Sequence, residues 1–240
     1  MKALITDIDG TLLGDDEGLK ELNSYLLRIR KSLFLVYATG RSVEEYGMLE
    51  GKLIEPDAAV VNTGADIYTH GKSGLIELVE WKEKTGCDTW DARKVEFALN
   101  GISELVSQGH FSSRKVCYFC ERDKAAEAGK KAAKELKKAG IKAKVIISHG
   151  KYVDILPEKC DKASAAAFLL EKEGINCSDV IVAGDSENDL DLFIRFRKGI
   201  IVGNALGTLK DAARGLDVYQ AVRPYASGVL EGLKYFTEKK

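Results

Sequence analysis

"LITDIDGTLL" (residues 4–13) sends a short apolar run straight into two carboxylates, Asp7 and Asp9. The run from Ala3 to Ile5 reads as a buried strand, and carboxylates at the tip of such a strand concentrate negative charge where desolvation is costly. Something must offset that cost, and a bound metal ion or the handling of a phosphoryl group is the usual reason for it. Asp7 and Asp9 are two residues apart, so both would point the same way on a continuing strand. Gly10 interrupts it, and Asp9 falls in the turn.

The same texture continues downstream. "EGLKELNSYLLRIR" places Leu19, Leu22, Leu26 and Ile29 on one helical face. "LFLVYA" (33–38) and "AAVVN" (58–62) read as buried strands, with "SVEEYGMLEGK" as a helix between them. Strands apolar on both faces and alternating with helices argue a parallel sheet covered on both sides. "GADIYTHGKSGLIELVE" then reads as a hairpin turning at residues 71–74. From about Trp81 to Glu158 the pattern changes to a helix over "DTWDARKVEFALNGISELVSQ" (88–108), a strand, a Lys- and Ala-rich helix, and two strands around "HG". The βα alternation resumes with "KASAAAFLLEKEG", "DVIVAGD", "NDLDLFIRF", "GIIVG" and "ASGVLEGLKYF". The expected fold is α/β: a Rossmann-like, doubly wound parallel-sheet core, residues 1–80 and 159–240, interrupted by an α+β cap, residues 81–158.

Composition narrows the function classes. The 240 residues carry 36 Lys and Arg against 37 Asp and Glu, a formal net charge of -1 that exerts no global pull on nucleic acid or anionic membrane. Residues 121–144 are locally basic, but they lack an aromatic platform for bases and read as a solvated helix face. No apolar run approaches a membrane span, and "ALITDID" cannot be the apolar region of a signal peptide. Five cysteines at irregular spacing argue reduced thiols. "CYFC" (117–120) lacks a second cysteine pair to complete a zinc site and reads as buried small hydrophobes on a strand, and the three histidines, His70, His110 and His149, form no ligand-spaced pair. A cytoplasmic protein with a small-molecule partner, and neither nucleic acid nor membrane, is expected.

Four stretches carry the chemistry. "DIDGTLL" holds Asp7 and Asp9. "YATGRS" (37–42) ends a strand in Thr39, Gly40 and Arg41 just before a helix, where a hydroxyl and free backbone N–H groups make an anion site. Lys162 in "EKCDKASAA" starts a core helix and offers one positive charge. "AGDSENDLDL" (183–192) ends a strand in Asp185, followed by Ser186, Asn188 and Asp189 at a helix opening. Singly, each reads as turn or cap chemistry. Jointly they fall, in order, at the carboxyl edge of expected parallel strands, where open α/β sheets place their sites.

These four stretches resemble the ordered motifs of the haloacid dehalogenase (HAD) superfamily of phosphohydrolases, and the insertion resembles that superfamily's C2-type cap. "TGRS", "VNTGADIY", "VDILPEKCDKASAA" and "GIIVGNA" are similar to its sucrose-phosphate phosphatase and Cof-like branch. The resemblance implies a Mg²⁺-dependent phosphatase acting on a small phosphorylated metabolite, a sugar phosphate above all. Asp7 would form an aspartyl-phosphate, and Asp9 would serve as general acid and base. Thr39, the Gly40 amide and Lys162 would hold phosphoryl oxygens, with Arg41 in support. Asp7, the Asp9 carbonyl and Asp185 would bind Mg²⁺. Asp189 would hold the metal through water or support Lys162, with Ser186 and Asn188 beside it.

Two other readings stay open. A sugar phosphomutase would share the core and the cap. A phosphoaccepting, receiver-like module would share the acid pocket, but it needs neither Asp9 nor a lid. In the cap, the turn "SHGKY" (148–152) could aim His149 and Lys151 at sugar hydroxyls, or be an ordinary exposed hairpin turn.

Overall fold

The opening run is the centre of the molecule. In a computed structural model, which describes residues 2–71, 74–86, 89–109 and 112–238, β1 (Ala3–Thr6) is buried at every position. It runs parallel to β2 (Phe34–Ala38) on one side and β10 (Val180–Gly184) on the other. The sheet order is β12 (Asp217–Gln220), β11 (Lys198–Ile201), β10, β1, β2, β3 (Ala58–Val61), β4 (Asp66–Gly71) and β5 (Gly74–Glu77). All strands from β12 to β3 are parallel, while β4 and β5 form an antiparallel hairpin at one edge. Residues 72 and 73 of its expected turn, like Cys87 and His110, lie outside the described residues.

Consecutive strand residues point to opposite faces, so full burial of β1, β3 and β10 means that both faces are covered. α1 (Asp16–Ile29) packs beside α9 (Tyr225–Glu238), and α6 (Lys162–Lys172) beside α7 (Leu190–Phe196). Asp15 caps α1 by accepting from the Gly18 amide at 3.1 Å, and Leu19, Leu22 and Leu26 face inward. The chain order steps outward from β1 in one direction and from β10 in the other. Their junction is thus the switch point at which such sheets open a crevice.

A second sheet, β6 (Val106–Ser107), β7 (Val116–Phe119), β9 (Tyr152–Pro157) and β8 (Ala143–Ser148), is antiparallel and backed by α4 (Ala92–Leu99) and α5 (Ala125–Lys138). It has its own apolar cluster around Val95, Val116, Tyr118, Ala128, Val153 and Ile155. Trp81 of α3 (Val79–Thr85) belongs instead to the larger cluster and donates to the Gly64 carbonyl at 3.0 Å.

Some elements differ from the sequence reading. The helix expected over "SVEEYGMLEGK" is only α2 (Val43–Gly47), since Gly47 and the left-handed Gly51 favour turns. The helix expected through residue 108 stops at Leu99 before Asn100 and Gly101, and two later residues become β6. β6 is too short to carry a period, and β12 is only partly buried, so neither shows an apolar run. Among the described residues no helix is long and apolar enough to cross a membrane.

Asn62, Thr63 and Gly64 adopt positive φ in succession where β3 ends. The turn is costly for a β-branched residue, yet it delivers Gly64 against the start of α6. A Cβ on Gly64 would overlap the Asp161 carbonyl. Gly51 also has positive φ but open space around it. Gly64→Ala should therefore lose more than about 2 kcal/mol of unfolding free energy in urea titration, and Gly51→Ala about 1 kcal/mol or less. Equal losses would show that backbone strain alone, without the close approach, sets the cost.

Candidate active site

β1 and β10 are in register at Thr6 and Ala183, and the Asp7 amide donates to the Ala183 carbonyl at 3.0 Å. Both strands therefore end together and set Asp7 and Asp185 side by side. Gly10 makes this possible: its φ is +82°, and a Cβ there would lie 2.5 Å from Asp185 Oδ2. Thr11 donates its hydroxyl to Asp185 Oδ1 at 3.2 Å. Asp189 points back at the same spot, accepting at Oδ2 from the Asp185 and Ser186 amides at 3.0 and 3.3 Å. Ser186 in turn donates to Asn188 Oδ1 at 2.9 Å.

Into this acidic cluster comes Lys162, the first residue of α6, whose N-cap Asp161 accepts from the Ser164 amide. Its ammonium is 0% exposed and donates to Asp7 Oδ1 at 2.6 Å and to Asp189 Oδ1 at 2.8 Å. Burial alone would lower the Lys162 pKa; Asp189 and Asp7 raise it on balance. Burial pushes the Asp7 carboxyl up to about 8, with Lys162 opposing and Asp189 and Asp185 adding to the rise. Burial also raises Asp189, against the pull of Lys162. Three buried acids with one buried base leave uncompensated negative charge.

That imbalance is the observation by which a metal can be tested. Asp7, Asp185 and Asp189 each offer an oxygen within 4.8 Å of the others. All-oxygen, carboxylate-rich donors suit a hard divalent cation. Both Asp189 oxygens already accept hydrogen bonds, which makes it the brace of the set, whereas Asp7 keeps Oδ2. The residues present fit a hard divalent cation.

The "TGR" segment follows β2. The Thr39, Gly40 and Arg41 carbonyls accept, respectively, from the Thr63 amide at 3.0 Å, Lys115 Nζ at 2.7 Å and the Asn62 amide at 2.7 Å. The Arg41 amide donates to Thr39 Oγ1 at 3.1 Å, and among the described residues the Gly40 N–H has no acceptor. Thr39 is fully buried, while Gly40 lines a cleft of about 550 Å³ together with Asp7, Asp9, Arg41, Ser186 and Asn188.

Asp9 stands apart from the acid cluster. Its carboxylate takes a two-pronged ion pair from Arg41, Nη2 at 2.6 Å and Nε at 2.7 Å. The cap residues also divide. His149 lines the cleft on the side of the acid cluster: its backbone amide donates to Glu187 at 2.9 Å, and its Nε2 lies 3.5 Å from Asp185 Oδ2. Negative charge in the acid cluster draws the ring there, and its pKa is raised by the Asp185 hydrogen bond against the effect of burial. Lys151 lines the cleft with its ammonium 4.6 Å from the centre of the Tyr152 ring.

Sequence reasoning missed Lys115 and Asp154. Lys115, 8% exposed, lies 3.5 Å from Asp154 Oδ2, and Thr63 donates its hydroxyl to that oxygen at 3.0 Å. The signal was a strand period. Val116, Tyr118, Val153 and Ile155 fill the cap cluster, so Lys115, Cys117, Tyr152 and Asp154 alternate onto the cleft face. Cys117 and Cys120 are indeed buried, and the described cysteines form no disulfide.

Comparison with known proteins agrees with this geometry. The family model for sucrose-6F-phosphate phosphohydrolase matches residues 1–237. A sucrose-phosphatase of Nicotiana tabacum is 32% identical over 97% of this chain, which spans 58% of that protein's length. A mannosylfructose-phosphate phosphatase of Agrobacterium fabrum is 29% identical, over 98% of this chain and 97% of its own. The crystal structure of the Synechocystis sucrose-phosphatase in complex with sucrose and phosphate superposes with a TM-score of 0.85 at 29% identity, covering 98% of this chain and 97% of that one. The fold is thus the capped HAD fold that the motifs suggested.

The Asp7 pKa has a consequence for stability without metal. Burial pushes its carboxyl up to about 8 in the folded protein from 3.8 in the free group, so between those values the folded chain holds a proton that the unfolded chain has lost. This stabilisation is complete below the lower value and is lost as pH rises through the upper one. In chelator, the Asp7 contribution to the unfolding free energy should fall with rising pH across this window by up to about 1.4 kcal/mol per unit. Asp7→Asn should flatten the slope by one proton. A slope unchanged in Asp7→Asn would place the buried proton elsewhere.

Proposed function

The chain belongs to the sucrose-6F-phosphate phosphohydrolase family, and from that premise we propose that it hydrolyses the phosphate monoester of a small phosphorylated sugar through an aspartyl-phosphate on Asp7. The observation that carries this reading is the buried Lys162 ammonium shared by Asp7 and Asp189 beside Asp185. It fixes a carboxylate at the cleft and leaves charge for a metal to balance.

In this reading Asp7 attacks phosphorus while the ester oxygen departs with a proton from Asp9. A water molecule then attacks the aspartyl-phosphate, giving up its proton to Asp9. Inorganic phosphate and the free sugar leave, and the Asp7 carboxylate is restored. Asp7, Asp185 and the Asp9 carbonyl would hold Mg²⁺, which supplies electrostatic stabilisation of the phosphoryl oxygens. The Gly40 N–H, the Thr39 hydroxyl and Lys162 bind those oxygens. Asp189 keeps Lys162 in place, Ser186 and Asn188 order the loop around it, and Arg41 holds the Asp9 carboxylate between proton transfers.

The separate apolar clusters support a division into a core, residues 1–80 and 159–240, and a cap, residues 81–158, with Trp81 and Leu156 near the cap's two ends packing into the core cluster. The cleft between them is lined by Gln108, Lys151, Tyr152 and other polar cap groups. Such donors suit a polyhydroxylated leaving group, since hydroxyls left unpaired in a closed site are penalised. Sucrose 6F-phosphate and a phosphorylated mannosylfructose are the first substrates to assay. A cytoplasmic location is part of the same reading.

Phosphate release from those two esters should exceed that from phosphoglycolate or nucleotides in kcat/KM. It should stop in chelator and return with Mg²⁺. Asp7→Asn should abolish turnover without unfolding the protein, and Asp9→Asn should lower kcat about 10²–10⁴-fold. Near-normal release by folded Asp7→Asn would refute the mechanism, and a preference for phosphoglycolate would refute the substrate class.

A further inference from the structure

One buried cation in the cleft wall does something other than balance charge. Lys115 belongs to the cap, yet its shortest contact is to a neutral carbonyl of the core, Gly40 O at 2.7 Å. Its carboxylate neighbour Asp154 lies farther off, at 3.5 Å. A buried lysine placed only for charge compensation would close on the carboxylate, because that contact offsets its desolvation. Here the carboxylate instead completes a ring. Asp154 accepts from the Thr63 hydroxyl, the Thr63 amide donates to the Thr39 carbonyl, and Gly40 leads back to Lys115.

The peptide unit that Lys115 grips is the one that orients Thr39. Its carbonyl faces the ammonium, and its N–H, that of Arg41, donates to Thr39 Oγ1 at 3.1 Å. A cation on the carbonyl strengthens the N–H as a donor. With that lone pair occupied, the Thr39 hydroxyl is turned to donate its own proton. The turn at Asn62 and Thr63 fixes the carbonyls on either side from within the core. The middle carbonyl alone depends on a side chain from the cap.

We propose that Lys115 is a positioning residue through which the seated cap sets the phosphate-binding segment, aligning the Thr39 hydroxyl on the phosphoryl group. The inference rests on the phosphatase reading, but it predicts phosphate binding as well as turnover. A leaving-group contact would be felt by sugars alone, whereas a phosphate-loop contact is felt by every ester.

The test compares wild type with Lys115→Met, Lys115→Arg and the charge-neutral pair Lys115→Met/Asp154→Asn, which keeps a side-chain oxygen within reach of the Thr63 hydroxyl. Each is measured for inorganic phosphate affinity with Mg²⁺ by calorimetry. Each is also measured for kcat/KM on p-nitrophenyl phosphate and on the best sugar phosphate. Lys115→Met should weaken inorganic phosphate and lower kcat/KM on both esters by a similar factor, about 10–100-fold, the range for a hydrogen bond to a charged group. Lys115→Arg should recover part of the loss. The double variant should regain thermal stability but not phosphate affinity. Unchanged phosphate affinity in Lys115→Met, a loss confined to the sugar ester, or full recovery of phosphate affinity in the double variant would each overturn the proposal. Wild type that binds phosphate but hydrolyses no ester would overturn the phosphatase reading instead, while the affinity arm still decides the role of Lys115.

Discussion

The structure depends on one ammonium group in a place where water cannot reach it. Lys162 is held between Asp7 and Asp189 with Asp185 alongside, and each of these ions costs several kcal/mol to bury unless it is paired. Meeting this constraint takes elements from distant parts of the chain. β1 and β10 must end in register, the segment after β10 must fold back to aim Asp189, and α6 must begin at that point. The N-terminus of α6 is itself secured from the cap. Lys144 on β8 donates to Asp161, the α6 N-cap, at 2.7 Å and to Asp191 on α7 at 2.6 Å. The cap is thereby tied to the two helices whose first turns carry Lys162 and follow Asp189.

A second constraint is backbone rather than charge. The successive left-handed residues Asn62, Thr63 and Gly64 store strain that a tighter fold would avoid. The return is three placements from one turn: Asn62 and Thr63 fix carbonyls of the "TGR" segment, Thr63 meets Asp154, and Gly64 seats α6. Strain and buried charge therefore meet at the same edge of the sheet.

The core was legible because its physics is local. β1, β2, β3 and β10 are short runs buried on both faces, and the core residues proposed for the site sit just after such a run or at a helix start. What escaped the sequence was pairing across distance. Nothing near Asp9 announces that Arg41 will take its carboxylate, and nothing near Lys115 announces that the Gly40 carbonyl will accept from its ammonium. Asp154 sat in plain view between Val153 and Ile155. An acid at the alternate position of an apolar strand marks a polar inner face, but only once the strand is known to lie over the core. His149 escaped for the complementary reason: nothing in the turn "SHGKY" announces that its ring will lie beside Asp185 of the acid cluster.

The two ion pairs at the edge differ as their proposed tasks differ. The Lys162 pairs are sealed, with side-chain exposures of 0% for Lys162 and 6% for Asp7, whereas the Arg41 and Asp9 side chains are 28% and 49% exposed. An exposed pair is worth about 0–1 kcal/mol, even in good geometry little more, while breaking a buried one costs about 3–5 kcal/mol. A carboxylate that must attack along one line benefits from a partner that never lets go. A carboxyl group that must first give a proton and then, as the carboxylate, take one back needs a partner it can leave. The fold places Asp7 in the first setting and Asp9 in the second, through nothing more than the depth at which the turn at Gly10 leaves each of them.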